Sequence, residues 1–132
     1  MSGFETKSLP EALDAIAPDG SEVRVLLRVN DRASTAEFRL QPGQVARAVT
    51  HKTVSEIWYV LAGQGKIWRR KDDEESVTDL KAGTCLTLPL GTRFQFSASA
   101  TTPLDILGVT TPSWPSTPDE ARVVEGPWTP NV

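Results

Sequence analysis

His51 is the only histidine in the chain, and Glu56 follows it with four residues between. An unperturbed imidazole titrates near pKa ~6.5, so His51 suits general-base work at neutral pH. A neighbouring carboxylate such as Glu56 could orient and charge that ring. Strand alternation groups Glu56 with Trp58 and Val60, and puts Ile57, Tyr59 and Leu61 on the opposite face. The same parity groups Arg47, Val49 and His51, and separately Phe94 with Phe96. Buried charges are normally paired. A Glu56 carboxylate could therefore be satisfied by His51 or Arg47 within the core, or the same groups could meet a ligand. Cys85 is the only cysteine, which excludes an intramolecular disulfide and a cysteine-rich zinc site. On a strand it is expected to act as a small buried hydrophobe.

The elements that must position these residues are short and β-rich. Strands are expected at Glu22–Val29, Thr35–Leu40, Val45–Thr50, Glu56–Ala62, Lys66–Arg70, Ser76–Leu80, Thr84–Leu88, Arg93–Ser97 and Leu104–Thr110. Asn30-Asp31, Pro42-Gly43, Gly63-Gln64-Gly65, Lys81-Ala82-Gly83 and Pro89-Leu90-Gly91 break the runs. Strands recurring at roughly ten-residue spacing, with no helical runs between them, indicate an antiparallel sandwich or barrel. Ahead of them, Ser8-Leu9-Pro10-Glu11 reads as a capping box opening a short N-terminal helix, stopped at Pro18-Asp19-Gly20. After them, Pro112, Pro115, Pro118, Pro127 and Pro130 rule out a central strand. Trp114 and Trp128 are costly to leave in water, so residues 112–132 are expected to form an ordered, irregular strap across the barrel or a subunit partner.

With 132 residues, the chain reads as one domain, 1–132, with a core barrel at about 22–111 and the strap at 112–132. Its net charge of -3, with both signs interspersed and no basic stripe, argues against nucleic-acid binding. The N-terminal residues carry acidic groups and no long apolar run, so neither a signal peptide nor a membrane span is expected there, and a cytoplasmic location is the default. The block Arg69-Arg70-Lys71-Asp72-Asp73-Glu74-Glu75 nearly cancels its own charge and reads as a solvated hairpin tip.

Gly43 to Gly63 resembles the first motif of the cupin family. Glu56 and Gly63 keep that motif's spacing, His51 falls on its second histidine and Val49 on its first. Gly83-Thr84-Cys85-Leu86-Thr87-Leu88-Pro89-Leu90-Gly91 resembles the front half of the second motif, with Phe94 at its histidine position and Ala98 at its asparagine position. The resemblance implies an all-β fold, a cupin-type antiparallel β-barrel or jelly roll. It also implies that the Glu56 face points into the barrel.

In metal-binding cupins three histidines and the glutamate would hold an ion. Here His51 and Glu56 alone remain, short of a facial triad or a catalytic zinc site, so no metal and no cofactor is expected. The implied interior is an aromatic-walled cavity of Trp58, Phe94 and Phe96 with His51, Glu56 and Arg47 as polar groups. An apolar pocket with a few convergent polar groups is what small-molecule sites look like. Three functions follow: a metal-independent barrel binding a small organic ligand; a metal-free isomerase or epimerase with His51 as general base and Glu56 as its partner; and a metal-dependent oxygenase or isomerase with incomplete ligation. Metal-free epimerases exist among cupins, but Tyr59 faces away from the cavity by parity, which leaves epimerisation without a second acid. Tyr59 and Trp68 are expected to pack on a sheet or at an interface. Small cupins often pair sheet to sheet, and a homodimer is expected.

Overall fold

The computed structural model describes residues 3–132. Eleven strands run in chain order: β1 (Ala15–Ile16), β2 (Glu22–Val29), β3 (Ala33–Leu40), β4 (Val49–His51), β5 (Ser55–Ala62), β6 (Gln64–Lys71), β7 (Glu74–Lys81), β8 (Cys85–Leu88), β9 (Arg93–Ala98), β10 (Leu104–Thr111) and β11 (Ala121–Val123). They form a six-stranded sheet in the order β1-β2-β3-β10-β5-β8 and a five-stranded sheet in the order β11-β4-β9-β6-β7. Every pairing is antiparallel. The expected barrel-like jelly roll is what the chain adopts.

Alternation decides which side chains meet. In β5, Glu56, Trp58 and Val60 are buried while Ile57, Tyr59 and Leu61 face outward. In β10, Leu104, Ile106, Gly108 and Thr110 face inward. The inner faces of the two sheets close on each other, and Trp58, Val60, Ile67, Phe96, Leu104 and Ile106 are each at most 2% exposed. Between β5 and β6 the chain turns at Gly63, φ 88°. A Cβ there would lie 1.9 Å from the Pro103 carbonyl oxygen, so only glycine fits this turn.

Three expectations need correction. No helix forms among the described residues. Instead of capping a helix at Ser8, the N-terminal segment lies over β2: the Glu11 carbonyl accepts Arg24 Nη2 (3.0 Å), and the Asp14 carboxylate accepts the Val25 amide (2.7 Å). A segment this short gains little as an isolated helix. Covering Arg24 and Glu37 outweighs its local preference, because Arg24 pairs with Glu37 at 3.1 Å and Glu37 is 1% exposed.

The strand expected at Val45–Thr50 is also divided. Val45 bridges to Ser97, and only β4 continues as a ladder. Between them the Arg47 amide turns away to the Asp19 carbonyl (2.8 Å). Finally, Cys85 is exposed, opposite Tyr59 on the outer face.

Residues 112–132 do lie across the barrel, over the outer face of the five-stranded sheet. β11 pairs with β4. Gln95, on the outer face of β9, is 1% exposed; its Nε2 donates to the carbonyls of Ala46 (2.8 Å) and Trp128 (2.9 Å), and its Oε1 accepts the Trp128 amide. Asn131 closes the strap by accepting the Val45 amide (2.7 Å) and donating to the Gly43 carbonyl (3.0 Å). Trp68, in register with Gln95, is buried beside it and donates its indole N–H to Glu75 (2.7 Å). A Cβ on Gly126 would sit 2.4 Å from Gln95 Oε1 and 2.6 Å from Ala48 Cβ, so the strap is pressed flat at that point. Gly126→Val is therefore expected to lift the strap. Hydrogen exchange at the Val124 and Asn131 amides should accelerate while amides of β5 and β10 keep their protection. Equal acceleration of both sets would show that the strap and the core open together.

Candidate functional site

Where β2 and β3 face β4 and the strap, the sheets part around a cavity of about 490 Å³. Its walls are apolar: Val25 and Leu27 from β2, Phe38 from β3, Trp58 from β5, Phe94 from β9 and Trp114 from the strap. The pairing of β2 with β3 shifts register between Val25 and Arg28, and this irregularity brings both Leu26 and Leu27 to the cavity. Gly108 makes room for Phe38: a Cβ on Gly108 would lie 2.3 Å from the Phe38 ring. Phe38 can then lean against Trp58, centroid to centroid 5.8 Å.

His51 and Glu56 supply the polar end. His51 Nδ1 lies 3.2 Å from Glu56 Oε2, and both side chains are buried. The Trp58 indole N–H donates to the other carboxyl oxygen, Oε1, at 3.3 Å. The imidazole is held edge-on by Phe94 (5.4 Å) and Trp114 (5.2 Å). Its Nε2 has no protein hydrogen-bond partner among the described residues.

Burial acts on both groups in the same sense, against charge. It pushes the Glu56 carboxyl up to about 8, aided by the nearby acids Asp19 and Glu120, against the opposing pull of the Trp58 hydrogen bond. It pushes His51 down to about 4, although Glu120 pulls the other way. Between those limits the pair is a protonated carboxyl beside a neutral imidazole, not an ion pair, even though the two sit at ion-pairing distance. Desolvation by burial decides this, being the largest influence on both groups.

Glu120 is different. Burial opposes its charge too, yet Thr53 and Val54 donate to it and hold it below the usual carboxylate range. Its oxygens accept the amides of Lys52 (3.1 Å), Thr53 (2.8 Å) and Val54 (3.2 Å) and the Thr53 hydroxyl (2.6 Å). It thereby ties the strap to the turn that carries His51.

Of the residues expected at the site, His51, Glu56, Trp58 and Phe94 line the one cavity. Arg47 and Phe96 do not line the cavity. Arg47 points away from it, donating to the carbonyls of Pro18 (3.2 Å) and Val132 (2.7 Å). The division of the Val45–Thr50 run removes it from the alternation that would have turned it inward. Phe96 is packed against Trp58 at 4.9 Å, within the solid core. Tyr59 is exposed on the outer sheet face, as parity requires, and Arg93 also faces out. The sequence reading missed Phe38, Trp114, Asp19 and Glu120. Trp114 carried a signal, a large aromatic in a proline-rich strap; Glu120 carried none.

The donors do not fit the family's metal. Val49 and Phe94 occupy two histidine positions, are 1% and 2% exposed, and pair with each other across β4 and β9. Glu120 of the strap is committed to the Lys52–Val54 turn. Among the described residues no group of three or more His, Cys, Asp or Glu could hold an ion.

Because His51 is the sole histidine, its ring signals in NMR are unambiguous. Titration should place its midpoint near 4, with no protonation between about pH 8 and 6, and Glu56→Gln should leave that midpoint nearly unchanged. A midpoint above 6.5 that collapses in the variant would instead mark a charged pair.

Stability should follow with a defined sign. The unfolded Glu56 releases its proton near 4.5 and the folded one near 8, so stability falls as pH rises across that window. Glu56→Gln should abolish that fall, which is worth on the order of 2–4 kcal/mol between about pH 5 and 8.5 in chemical denaturation. His51 acts in the other direction: unfolded it gains a proton near 6.5 and folded only near 4, so stability also falls as pH drops through that range.

Residues 36–110 match the family model described as Cupin domain, more than half of the chain. No curated protein matches the sequence. Among solved structures, CapF with the inhibitor 3-isopropenyl-tropolone superimposes with a TM-score of 0.73 at 18% identity, over 90% of this chain and 36% of CapF. The chain thus spans about a third of CapF, 36% of its length. Streptomyces Pac13, described as a nucleoside dehydratase, was solved as a variant with uridine; it gives 0.70 at 19% identity over 92% of both chains. The corresponding domain of Drosophila melanogaster CENP-C gives 0.63 at 16% identity over 70% of this chain and 68% of that one. At these identities the likeness concerns the fold alone. With the family model covering the span from β3 to β10, the chain belongs to the cupin family.

Proposed function

We propose that this cupin binds a small, ring-bearing organic molecule in the barrel cavity without a metal. The observation that carries this is the cavity itself: about 490 Å³, aromatic on several sides, with one neutral acid and one neutral imidazole at its polar end. That volume lies within the range of small-molecule pockets, roughly 300–1,000 Å³. Trp58, Phe94 and Trp114 suit a flat ring, and His51 Nε2 is left for the ligand's polar atoms. Pac13, solved with uridine and matched over nearly its whole length, is consistent with a ligand of about nucleoside size in such a barrel.

A second reading, acid–base catalysis on that ligand, is favoured by the same pair. At neutral pH His51 is free to accept a proton, and Glu56 carries one 3.2 Å away. His51 is then the general base, taking a ligand proton on Nε2 and giving the same proton back as general acid, while Glu56 orients the ring through Nδ1. Tyr59 takes no part, since it lies outside.

The proposal extends to assembly. Ile57, Tyr59 and Leu61 are 45–48% exposed in a row on the outer face of β5, and a homodimer through this face would cover them. Light scattering should give twice the chain mass of 14.4 kDa. No helix among the described residues is long and apolar enough to cross a membrane.

The ligand test uses the His51 ring signals as reporter against nucleosides, sugars and aromatic acids. A binder should shift them saturably and raise Tm, and both responses should persist in EDTA. His51→Ala should weaken that binding about tenfold with the fold retained. Stoichiometric iron, manganese, zinc or nickel in the purified protein, or loss of binding in EDTA, would overturn metal independence. Silence across the panel would sink the ligand reading.

A further inference from the structure

The sandwich has a second parting, on the side away from the large cavity, where edge strand β8 of one sheet meets β6 and β7 of the other. It encloses about 130 Å³ and is lined by Arg69, Lys71, Glu74, Ser76, Thr87, Pro89 and Thr92. Where the first cavity is apolar, this one is cationic and hydroxyl-bearing. The charge block from Arg69 to Glu75 was expected to be a solvated hairpin tip, and its tip is so: Asp72, Asp73 and Glu74 are exposed. Arg69, however, shares the inward parity of Ile67 and projects between the sheets.

The polar groups at this site are incompletely satisfied. Arg69 Nη1 donates to the Thr87 carbonyl (3.1 Å) and Nη2 to the Thr78 hydroxyl (3.3 Å), both neutral acceptors. Its Nε is buried without a hydrogen-bond partner. Thr92, 5% exposed, likewise has a buried hydroxyl with no partner. Among the described residues these are the only two buried side-chain polar atoms in that condition, and both belong to residues lining this pocket. No carboxylate of the described residues lies within ion-pairing distance of Arg69. A partly buried guanidinium without a counter-charge, beside an unpaired hydroxyl, is unfavourable unless something supplies the missing acceptor.

We propose that this pocket is a binding site for a small oxyanion, a phosphate, sulfate or carboxylate group. The anion would accept from Arg69 Nε and Thr92 Oγ1, with Lys71, whose ammonium also meets Asp72 at 3.5 Å, adding charge from the rim. Arginine suits this role because its planar fork presents several donors to one anion, and charge-assisted hydrogen bonds are the stronger kind. The volume admits one such group and excludes a drug-sized molecule. Glu74 at the mouth opposes the anion and sets a limit on affinity. The site is independent of the His51–Glu56 cavity and does not rest on the function proposed for it.

The full-length protein can be titrated in chloride buffer with inorganic phosphate, sulfate or acetate while the Arg69 Nε–H and Thr92 amide signals are followed by NMR. Saturable shifts of both, with the His51 ring unmoved, are expected for at least one anion. Acetate alone would identify a carboxylate site; phosphate or sulfate alone would identify a tetrahedral-anion site. Arg69→Gln should weaken binding about tenfold or more, and Glu74→Gln should tighten it about twofold to threefold. Should Arg69→Gln fail to fold, Thr92→Val keeps the shape and should still weaken binding several-fold. Shifts that merely follow ionic strength, or saturable binding unchanged in Thr92→Val, would overturn the proposal. So would an Arg69 Nε–H signal indifferent to all three anions.

Discussion

Trp58 joins the two sheets. It belongs to β5 in the six-stranded sheet, yet its ring packs edge-on against Phe94 (5.4 Å) and Phe96 (4.9 Å) of β9 in the other. Aromatic contacts of this geometry contribute beyond the area they bury. On its third side Trp58 receives Phe38, and its indole N–H fixes one oxygen of Glu56. The side chain that holds the layers together therefore also divides solid core from open cavity. Phe96 lies on the core side, and Glu56 with His51 lies on the cavity side.

That position explains the state of the acid–base pair. A carboxyl group buried beside an indole, with an imidazole as its other close neighbour, is desolvated without gaining a cation. Desolvation then raises the acid and lowers the base until neither is charged near neutrality. Such a pair costs less to bury than an ion pair of the same geometry and can still donate and accept a proton.

The chain segments outside the barrel complete it in different ways. The N-terminal segment covers the Arg24–Glu37 pair on one sheet, and the strap covers Gln95 on the other. The strap also reaches the site, through Trp114 against the His51 ring and Glu120 on the turn beside it. A strand sandwich with two open sides can part at either. The two partings have opposite character because the side chains lining them differ: Val, Leu and Phe from β2 and β3 at one, Arg69, Lys71, Glu74 and Ser76 from β6 and β7 at the other.

Period-two alternation and turn residues were enough to place most strands, because a half-buried strand must repeat every second residue whatever its partners are. Val49 and Phe94 could be located in the histidine positions by counting alone, and His51, Glu56, Trp58 and Phe94 do share one cavity. Where the reading went wrong, tertiary contacts overruled a local rule. Ser8–Glu11 has the letters of a capped helix, but Arg24 and Val25 claim the backbone and side-chain acceptors of that segment. Arg47 has the parity of an inward residue, but the chain leaves the ladder between Val45 and Val49. Trp114 and Glu120 lie more than sixty residues beyond His51, with no period linking them to it, so only the path of the strap brings them there. The sequence determined the barrel and the identity of the surviving acid–base pair, since both follow from short-range spacing. The charge state of that pair, the walls around it and the inward turn of Arg69 depend on burial between segments distant in the chain, and only the tertiary structure decided them.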